Sequence, residues 1–169
     1  MSCEIVELSE QKSLSIKKIV NTMQLGSEME KAYTGIAKFM EENGQGFMEQ
    51  HPPYCLYRNV NWDELMKPMG FWAKLKMMFK KWNLEMGVPV QEGLPQNCEF
   101  ELSVFPAGKF LKTVHLGAYY KVSETYKKMV TWAQENGIKL GNISIEQYTN
   151  SPKEVATDEL KTFVLIPVE

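Results

Sequence analysis

Glu146 and Tyr148 stand two residues apart in a segment with the alternating pattern of a β-strand. Because side chains alternate between the faces of a strand, these two share one face, while Ile143 and Ile145 point to the other. A carboxylate beside aromatic rings attracts cations by charge, and each ring adds about 0.5–2 kcal/mol of cation–π attraction. If it were desolvated, the carboxylate would have a raised pKa and could act as a general acid or base. Spacing alone favours a solvent-exposed glutamate, because carboxylates are seldom buried.

Three tyrosines are candidates for the wall of a binding site: Tyr57, Tyr119 and Tyr148. A phenol combines a flat apolar face with a polar tip, which suits either a pocket wall or a proton donor. Tyrosine is also common in ordinary protein cores. We therefore assign Tyr148 to the site and leave Tyr57 and Tyr119 open between site and core.

The histidines and cysteines favour neither a metal site nor a catalytic triad. His51 and His115 are isolated from each other and from a matched nucleophile, and we interpret His115 as structural. Cys3, Cys55 and Cys98 are widely spaced without a CxxC pair, which predicts reduced thiols, with Cys55 a small buried hydrophobe. We expect no metal and no cofactor.

Composition excludes several classes of function. The chain has 169 residues, of which 44% are hydrophobic and 24% charged, which is typical of one globular domain spanning residues 1–169. Nineteen basic and 21 acidic residues leave no electrostatic footprint for nucleic acid. No stretch approaches the ~20 apolar residues of a membrane span, and the N-terminus lacks the pattern of a signal peptide. We expect a cytoplasmic protein without a membrane span that binds no nucleic acid directly.

The chain contains an internal duplication. Residues 28–44 and 121–137 align at a constant offset of 93, which pairs Tyr33 with Tyr126, and both segments end in Glu-Asn-Gly. Apolar residues recur at helical spacing in each, so both are predicted to be amphipathic helices. The closing glycine of each segment stands where a left-handed residue commonly ends a helix.

Strand patterns surround each predicted helix at corresponding places. Residues 16–20 and 111–115 precede the helices, residues 53–59 and 144–150 follow them, and the halves close with residues 88–90 and 166–168. We predict an α+β fold of duplicated β-α-β-β units related by a pseudo-twofold axis, with antiparallel sheets, helices on one side and a ligand cleft between the repeats. Repeat one covers about 3–91 and repeat two about 96–169.

The first repeat carries an aromatic insertion at residues 61–82, which holds three of the four tryptophans and several methionines, Met69 among them. Residues 73–82 are predicted to form a short helix with four lysines. Three interpretations stay open: a packed cap over the sheet, an aromatic lid over the ligand, or a basic amphipathic patch for a membrane or a partner. The lid interpretation makes Trp72 and Trp82 candidate ligand-binding residues.

The second half contains an ordered set of motifs: Pro106-Ala107-Gly108-Lys109-Phe110, His115-Leu116-Gly117-Ala118-Tyr119, the helix of residues 126–137, Glu146-Gln147-Tyr148 and Ile166-Pro167-Val168. In this order they resemble the gyrase-inhibitor-like (GyrI-like) effector-binding family, which also forms the ligand-sensing half of AraC-type and MerR-type multidrug regulators. The resemblance implies two β-α-β-β units and a cleft where a glutamate among aromatic rings receives lipophilic, often cationic, molecules. The sequence departs from the family pattern at Ala118, where the usual Gly-Pro-Tyr motif has proline, and in the insertion at residues 61–82.

Three hypotheses on function follow. The leading one is a stand-alone effector-binding domain for lipophilic, aromatic or cationic compounds, acting in sensing, sequestration or transcription regulation without a DNA-binding region of its own. The second is a hydrolase of reactive small molecules such as cyclopropanoids, with Glu146 activating a water and Tyr119 or Tyr148 donating a proton. The third is a gyrase inhibitor. The resemblance also admits gyrase or a regulator as protein partner, and a homodimer.

Overall fold

The computed structural model describes residues 2–48, 50–68, 70–95 and 99–169, so Met69 and Cys98 lie outside the described residues. Eight strands occur in the described part: β1 Glu4–Leu8, β2 Gln11–Asn21, β3 Tyr54–Arg58, β4 Lys81–Pro89, β5 Glu101–Phe105, β6 Gly108–Leu116, β7 Ser144–Tyr148 and β8 Lys161–Pro167. Four α-helices accompany them: α1 Leu25–Glu42, α2 Trp62–Met66, α3 Phe71–Met78 and α4 Val122–Glu135.

The strands form one antiparallel sheet in the order β1-β6-β8-β7-β3-β4-β2-β5. Exchanging each strand for its counterpart in the other repeat (β1 with β5, β2 with β6, β3 with β7, β4 with β8) reverses this order and leaves it otherwise unchanged. The pseudo-twofold axis passes through the centre of the β3–β7 pair, where Cys55 lies opposite Glu146. The predicted α+β fold with duplicated units is confirmed, and the two repeats share a single sheet.

The sequence pattern missed one strand in each repeat, β1 and β5. Each is exchanged: β1 pairs with β6 of the second repeat, and β5 pairs with β2 of the first. Only residues 9–10 connect β1 to β2, although these strands lie near opposite edges of the sheet. Two linking residues span no more than about 10 Å. The edges must therefore approach each other, and the sheet curls into a half-barrel.

The two faces of the curled sheet have different partners. Helix α1 buries Ala32, Ile36 and Met40 on one face, and α4 packs on the same layer through Met129 and Ala133. The other face lines the inside of the half-barrel and buries a second cluster: Tyr54, Leu56, Phe105, Phe110, Ile145 and Leu165. The helices end as predicted, since Gly44 and Gly137 have φ of 73° and 66°. None of the helices in the described ranges is long and apolar enough to cross a membrane.

The predicted helix over residues 73–82 is wrong in its second half. Helix α3 ends at Met78, and β4 begins at Lys81, so Trp82 belongs to a strand. Strand β4 pairs with β2, which places Trp82 opposite Val20. The backbone N–H of Thr22 also donates to the carbonyl of Lys80 at 3.2 Å. Pairing with a distant strand therefore overrides the local helical pattern.

The contact between Gly87 and Tyr54 gives a test of the half-barrel interior. A Cβ added at Gly87 would lie 2.6 Å from Cε1 of Tyr54, a ring that is fully buried. We expect Gly87→Ala to destabilise the protein by about 1–3 kcal/mol through overpacking. Gly26→Ala is the control, because nothing lies within 4 Å of its added Cβ, and it should be neutral or stabilising by up to about 1 kcal/mol. Urea unfolding measures both, and equal stabilities would contradict this packing.

Candidate functional site

Glu146 lies at the centre of the sheet, on the face that the helices cover. It is the third residue of β7, next to the pseudo-twofold axis, and only 5% of it is exposed. The alternation predicted from sequence holds, because Ile145 packs inside the half-barrel on the opposite face. Glu146 is thus a buried carboxylate and not the solvent-exposed strand residue that spacing alone favours.

Two phenols hold the carboxylate. Tyr126 donates a hydrogen bond to Oε1 at 2.9 Å, and Tyr148 donates one to Oε2 at 2.9 Å. The Tyr126 oxygen also lies 3.1 Å from Oγ of Ser144, which adds a hydroxyl to the network. One partner comes from α4 and the other from Glu146's own strand, so the carboxylate is fixed from two directions.

Burial raises the pKa of Glu146 above its ordinary value, while hydrogen bonds from Tyr126, Tyr148 and Tyr57 act in the opposite direction. Burial, and then the nearby Glu146 charge, raise the pKa of each of these tyrosines well above its ordinary value, so the phenols remain protonated donors at neutral pH. None of the ion pairs formed by the described residues includes Glu146. When it ionises, its charge has hydrogen-bond donors but, among the described residues, no ion-pair partner.

Aromatic rings surround the carboxylate. The Tyr148 ring makes edge contacts with Tyr119 and Tyr33, with ring centres 5.4 and 6.1 Å apart. These three tyrosines are half-buried and form the more accessible side of the group. On the other side, Tyr57 meets Trp82 edge-on at 5.9 Å.

The structure brings five of the six predicted site residues into this group: Glu146, Tyr148, Tyr57, Tyr119 and Trp82. Trp72 lies elsewhere. It is 73% exposed on α3, where its ring contacts Phe71. Whether each of these residues contacts a ligand stays a prediction.

Sequence reasoning missed Tyr126, Tyr33 and Trp62 as members of the group. Tyr126 is a direct partner of Glu146, Tyr33 contacts Tyr148, and Trp62 lies 5.8 Å from Tyr126. The sequence did contain a signal for Tyr126 and Tyr33, because they occupy equivalent positions in the duplicated helices. A pseudo-twofold axis through the β3–β7 pair brings such equivalent residues towards one centre.

Cys55 and His115 have the structural character expected from the sequence. Cys55 is fully buried, and burial raises the pKa of its thiol well above the ordinary value, so it stays protonated. His115 is buried between the Thr125 hydroxyl, 2.8 Å from its Nδ1, and the Ala118 carbonyl, 3.1 Å from its Nε2. Across the described ranges, no group of three or more His, Cys, Asp or Glu could hold a metal ion.

A family model described as the GyrI-like small molecule binding domain matches residues 77–169. This segment contains Glu146, Tyr148, Tyr119, Tyr126 and Trp82. A comparison with curated proteins gives no match.

Solved structures share the fold at low sequence identity. EcmrR in its complex with DNA is 20% identical with a TM-score of 0.73, over 99% of this chain and 57% of that one. SAV2435 bound to tetraphenylphosphonium is 13% identical with a TM-score of 0.65, and the match covers 100% of this chain and 94% of that one. A hydrolase from Listeria innocua is 12% identical with a TM-score of 0.64, and the match covers 99% of this chain and 91% of that one. The chain thus spans little more than half the length of the EcmrR chain.

The raised pKa of Glu146 predicts a pH dependence of stability. An acid whose pKa is higher in the folded state binds more protons folded than unfolded, so its contribution falls as the pH rises from the unfolded pKa through the folded one. Each pH unit within this window removes up to about 1.4 kcal/mol. We expect the free energy of unfolding of the wild type, relative to Glu146→Gln, to decrease between pH 4 and neutral pH in urea titrations. Glu135→Gln, at an exposed glutamate of α4, should track the wild type, and a constant difference between wild type and Glu146→Gln would contradict the pKa shift.

Proposed function

The chain belongs to the GyrI-like small molecule binding domain family, and we propose that its ligands are lipophilic organic cations held at Glu146 in the cleft between the two repeats. The observation that carries the proposal is the buried carboxylate, which has phenol partners and, among the described residues, no ion pair. A buried charge without a counterion is costly. A bound cation would offset this cost.

The rings around Glu146 support a cation with apolar substituents. A diffuse organic cation loses less hydration on burial than a compact one, and its substituents gain contacts with tyrosine faces. In the described conformation, Tyr148 both hydrogen-bonds the carboxylate and belongs to the half-buried side of the group. We infer that a ligand enters from this side and that Tyr148 moves to admit it.

Two structural relatives support this assignment by analogy. SAV2435 was solved with tetraphenylphosphonium, which is a lipophilic monocation with four aromatic rings. EcmrR was solved with DNA, and its chain extends well beyond the part that this domain matches. We propose that this domain senses or sequesters its ligand, and that any control of transcription needs a DNA-binding partner or region.

Tetraphenylphosphonium provides the direct test. We expect calorimetry to show binding by the wild type and about 10- to 100-fold weaker binding by Glu146→Gln, because a charge-assisted contact is worth about 1.5–3 kcal/mol. Glu135→Gln should bind like the wild type. Triphenylphosphine oxide, which is neutral and has three phenyl rings, should lose no affinity in Glu146→Gln, because it has no positive charge for the carboxylate to attract. Tight tetraphenylphosphonium binding by Glu146→Gln would overturn the role of the carboxylate.

A second candidate function is hydrolysis of strained small rings. The observation that favours it is the 2.9 Å hydrogen bond between Tyr148 and the raised-pKa carboxylate, since together they supply a base and an acid. In this scheme Glu146 takes a proton from water, the hydroxide adds to one ring carbon, and the ring bond breaks. Tyr148, which is hydrogen-bonded to Glu146, donates its proton to the other carbon and recovers one from Glu146, whereas the Tyr119 hydroxyl points to the Asn150 carbonyl.

If the protein is a hydrolase of strained rings, it should turn over an activated cyclopropane ester. Product formation, followed by mass spectrometry, should fall at least about 100-fold in Glu146→Gln and in Tyr148→Phe, the range that general acid–base catalysis contributes. Glu135→Gln again serves as the control. Turnover that survives in both variants would exclude this mechanism, and cation binding without turnover would leave the binding function alone.

A further inference from the structure

Helix α3 and the residue that follows it present a stripe of large apolar side chains to solvent. Phe71, Trp72, Leu75 and Met78 are 75%, 73%, 41% and 43% exposed, and Phe79, which follows the helix, is 63% exposed. These positions follow the i, i+1, i+4, i+7, i+8 spacing of one helix face. We call these five residues the α3 patch. A surface helix ordinarily buries such a stripe, so its exposure needs an explanation.

The scaffold fixes this orientation. The Thr22 hydroxyl donates to the carbonyl of Met77 at 2.7 Å, and the Thr22 N–H donates to the carbonyl of Lys80 at 3.2 Å. These bonds hold the end of α3 against the end of β2. The C-terminal end of the patch is therefore attached to the sheet.

The patch is not the cover of the Glu146 site. Two other tryptophans, Trp62 and Trp82, pack against tyrosines of that site. The Trp62 indole donates to the Gly141 carbonyl at 2.7 Å while its ring meets Tyr126, and the Trp82 indole donates to the Thr22 hydroxyl at 2.9 Å while its ring meets Tyr57. Both indole N–H groups are satisfied in these positions. Trp72, by contrast, contacts Phe71 within the patch itself.

Positive charge borders the patch. Lys67, Lys76 and Lys81 are exposed, and the ion pairs of the described residues do not include them. The neighbouring Lys80 is paired with Glu64 at 2.9 Å. The whole chain has a formal charge of −2, so this positive charge is local.

We propose that the α3 patch docks onto an anionic membrane surface. Tryptophan and phenylalanine favour the headgroup level of a bilayer, and lysines around them reach the lipid phosphates. The apolar side chains lie on the outside of a single short helix and not in a groove, which suits a deformable lipid surface. A twofold contact between two copies through this patch would bring like charges together.

Vesicle binding tests the proposal with the purified protein. We expect co-sedimentation with vesicles of phosphatidylcholine and phosphatidylserine, weaker binding as salt is raised, and little binding to phosphatidylcholine alone. Tryptophan emission should shift to shorter wavelength on binding, and Trp72→Phe should lose this shift while it retains most of the binding. Absence of binding to the anionic vesicles would overturn the proposal.

Paired variants locate the surface. Phe71→Ser/Trp72→Ser should abolish binding, and Lys67→Glu/Lys76→Glu should weaken it at least about 25-fold, since each lysine near an anionic surface contributes about fivefold. The control variant Lys38→Glu/Lys128→Glu makes the same change in charge on the exposed surfaces of α1 and α4, and it should bind vesicles like the wild type. Unchanged vesicle binding in Phe71→Ser/Trp72→Ser would overturn the proposal.

Light scattering and competition experiments distinguish a membrane from the other possible partners of the α3 patch, which are a second copy of the chain and an acidic protein. A dimer in the absence of lipid that Phe71→Ser/Trp72→Ser dissociates would assign the patch to a second copy and overturn the membrane proposal. An acidic protein that competes with anionic vesicles and binds more tightly than they do would also overturn it. Tetraphenylphosphonium affinity in solution should be equal in all these variants, so failure of this proposal is distinguishable from failure of the proposed function.

Discussion

The pairing of β3 with β7 is the contact on which the remainder of the molecule depends. It joins the two repeats at their pseudo-twofold axis and makes one sheet from two units. It also sets equivalent positions side by side, which is why Cys55 and Glu146 face each other at the centre. Perfect symmetry would place two carboxylates in contact within a buried site, and like charges at such distance cannot both ionise. The thiol at one position leaves room for a single charge.

That single charge explains the composition of its surroundings. Burial disfavours the ionised carboxylate, while the phenols of Tyr126 and Tyr148 favour it, and these two effects oppose each other in one site. Tyrosine satisfies this requirement well, because its ring excludes water and its hydroxyl donates a hydrogen bond without adding a positive charge. A lysine or arginine in the same place would have neutralised the site and removed its attraction for a cation.

The repeat made much of the fold predictable from sequence, since helices, closing glycines and central strands recur in the same order. Strands β1 and β5 escaped detection because they are the two edge strands of the sheet and are mostly exposed, so their sequences lack the apolar pattern of the central strands. The helix assigned to residues 73–82 failed for a different reason, because pairing with β2 decides the conformation of Trp82. Within the site, alternation placed Glu146 and Tyr148 on one face. Their burial could not be predicted from spacing, because it depends on how α1 and α4 pack across the sheet.

The exchange of edge strands has a consequence for how the chain folds. Strand β1 meets β6 at pairs such as Glu4 with Lys112, so β1 is synthesised more than a hundred residues before its partner. Contacts of this separation slow folding, because a long loop must close before the pairing is gained. Until the second repeat has been made, β1 and one edge of β2 are unpaired, and such edges attract strands from other chains. Neither half of the sheet is complete on its own, and the nascent first repeat is the stage at which this protein is most exposed to misassembly.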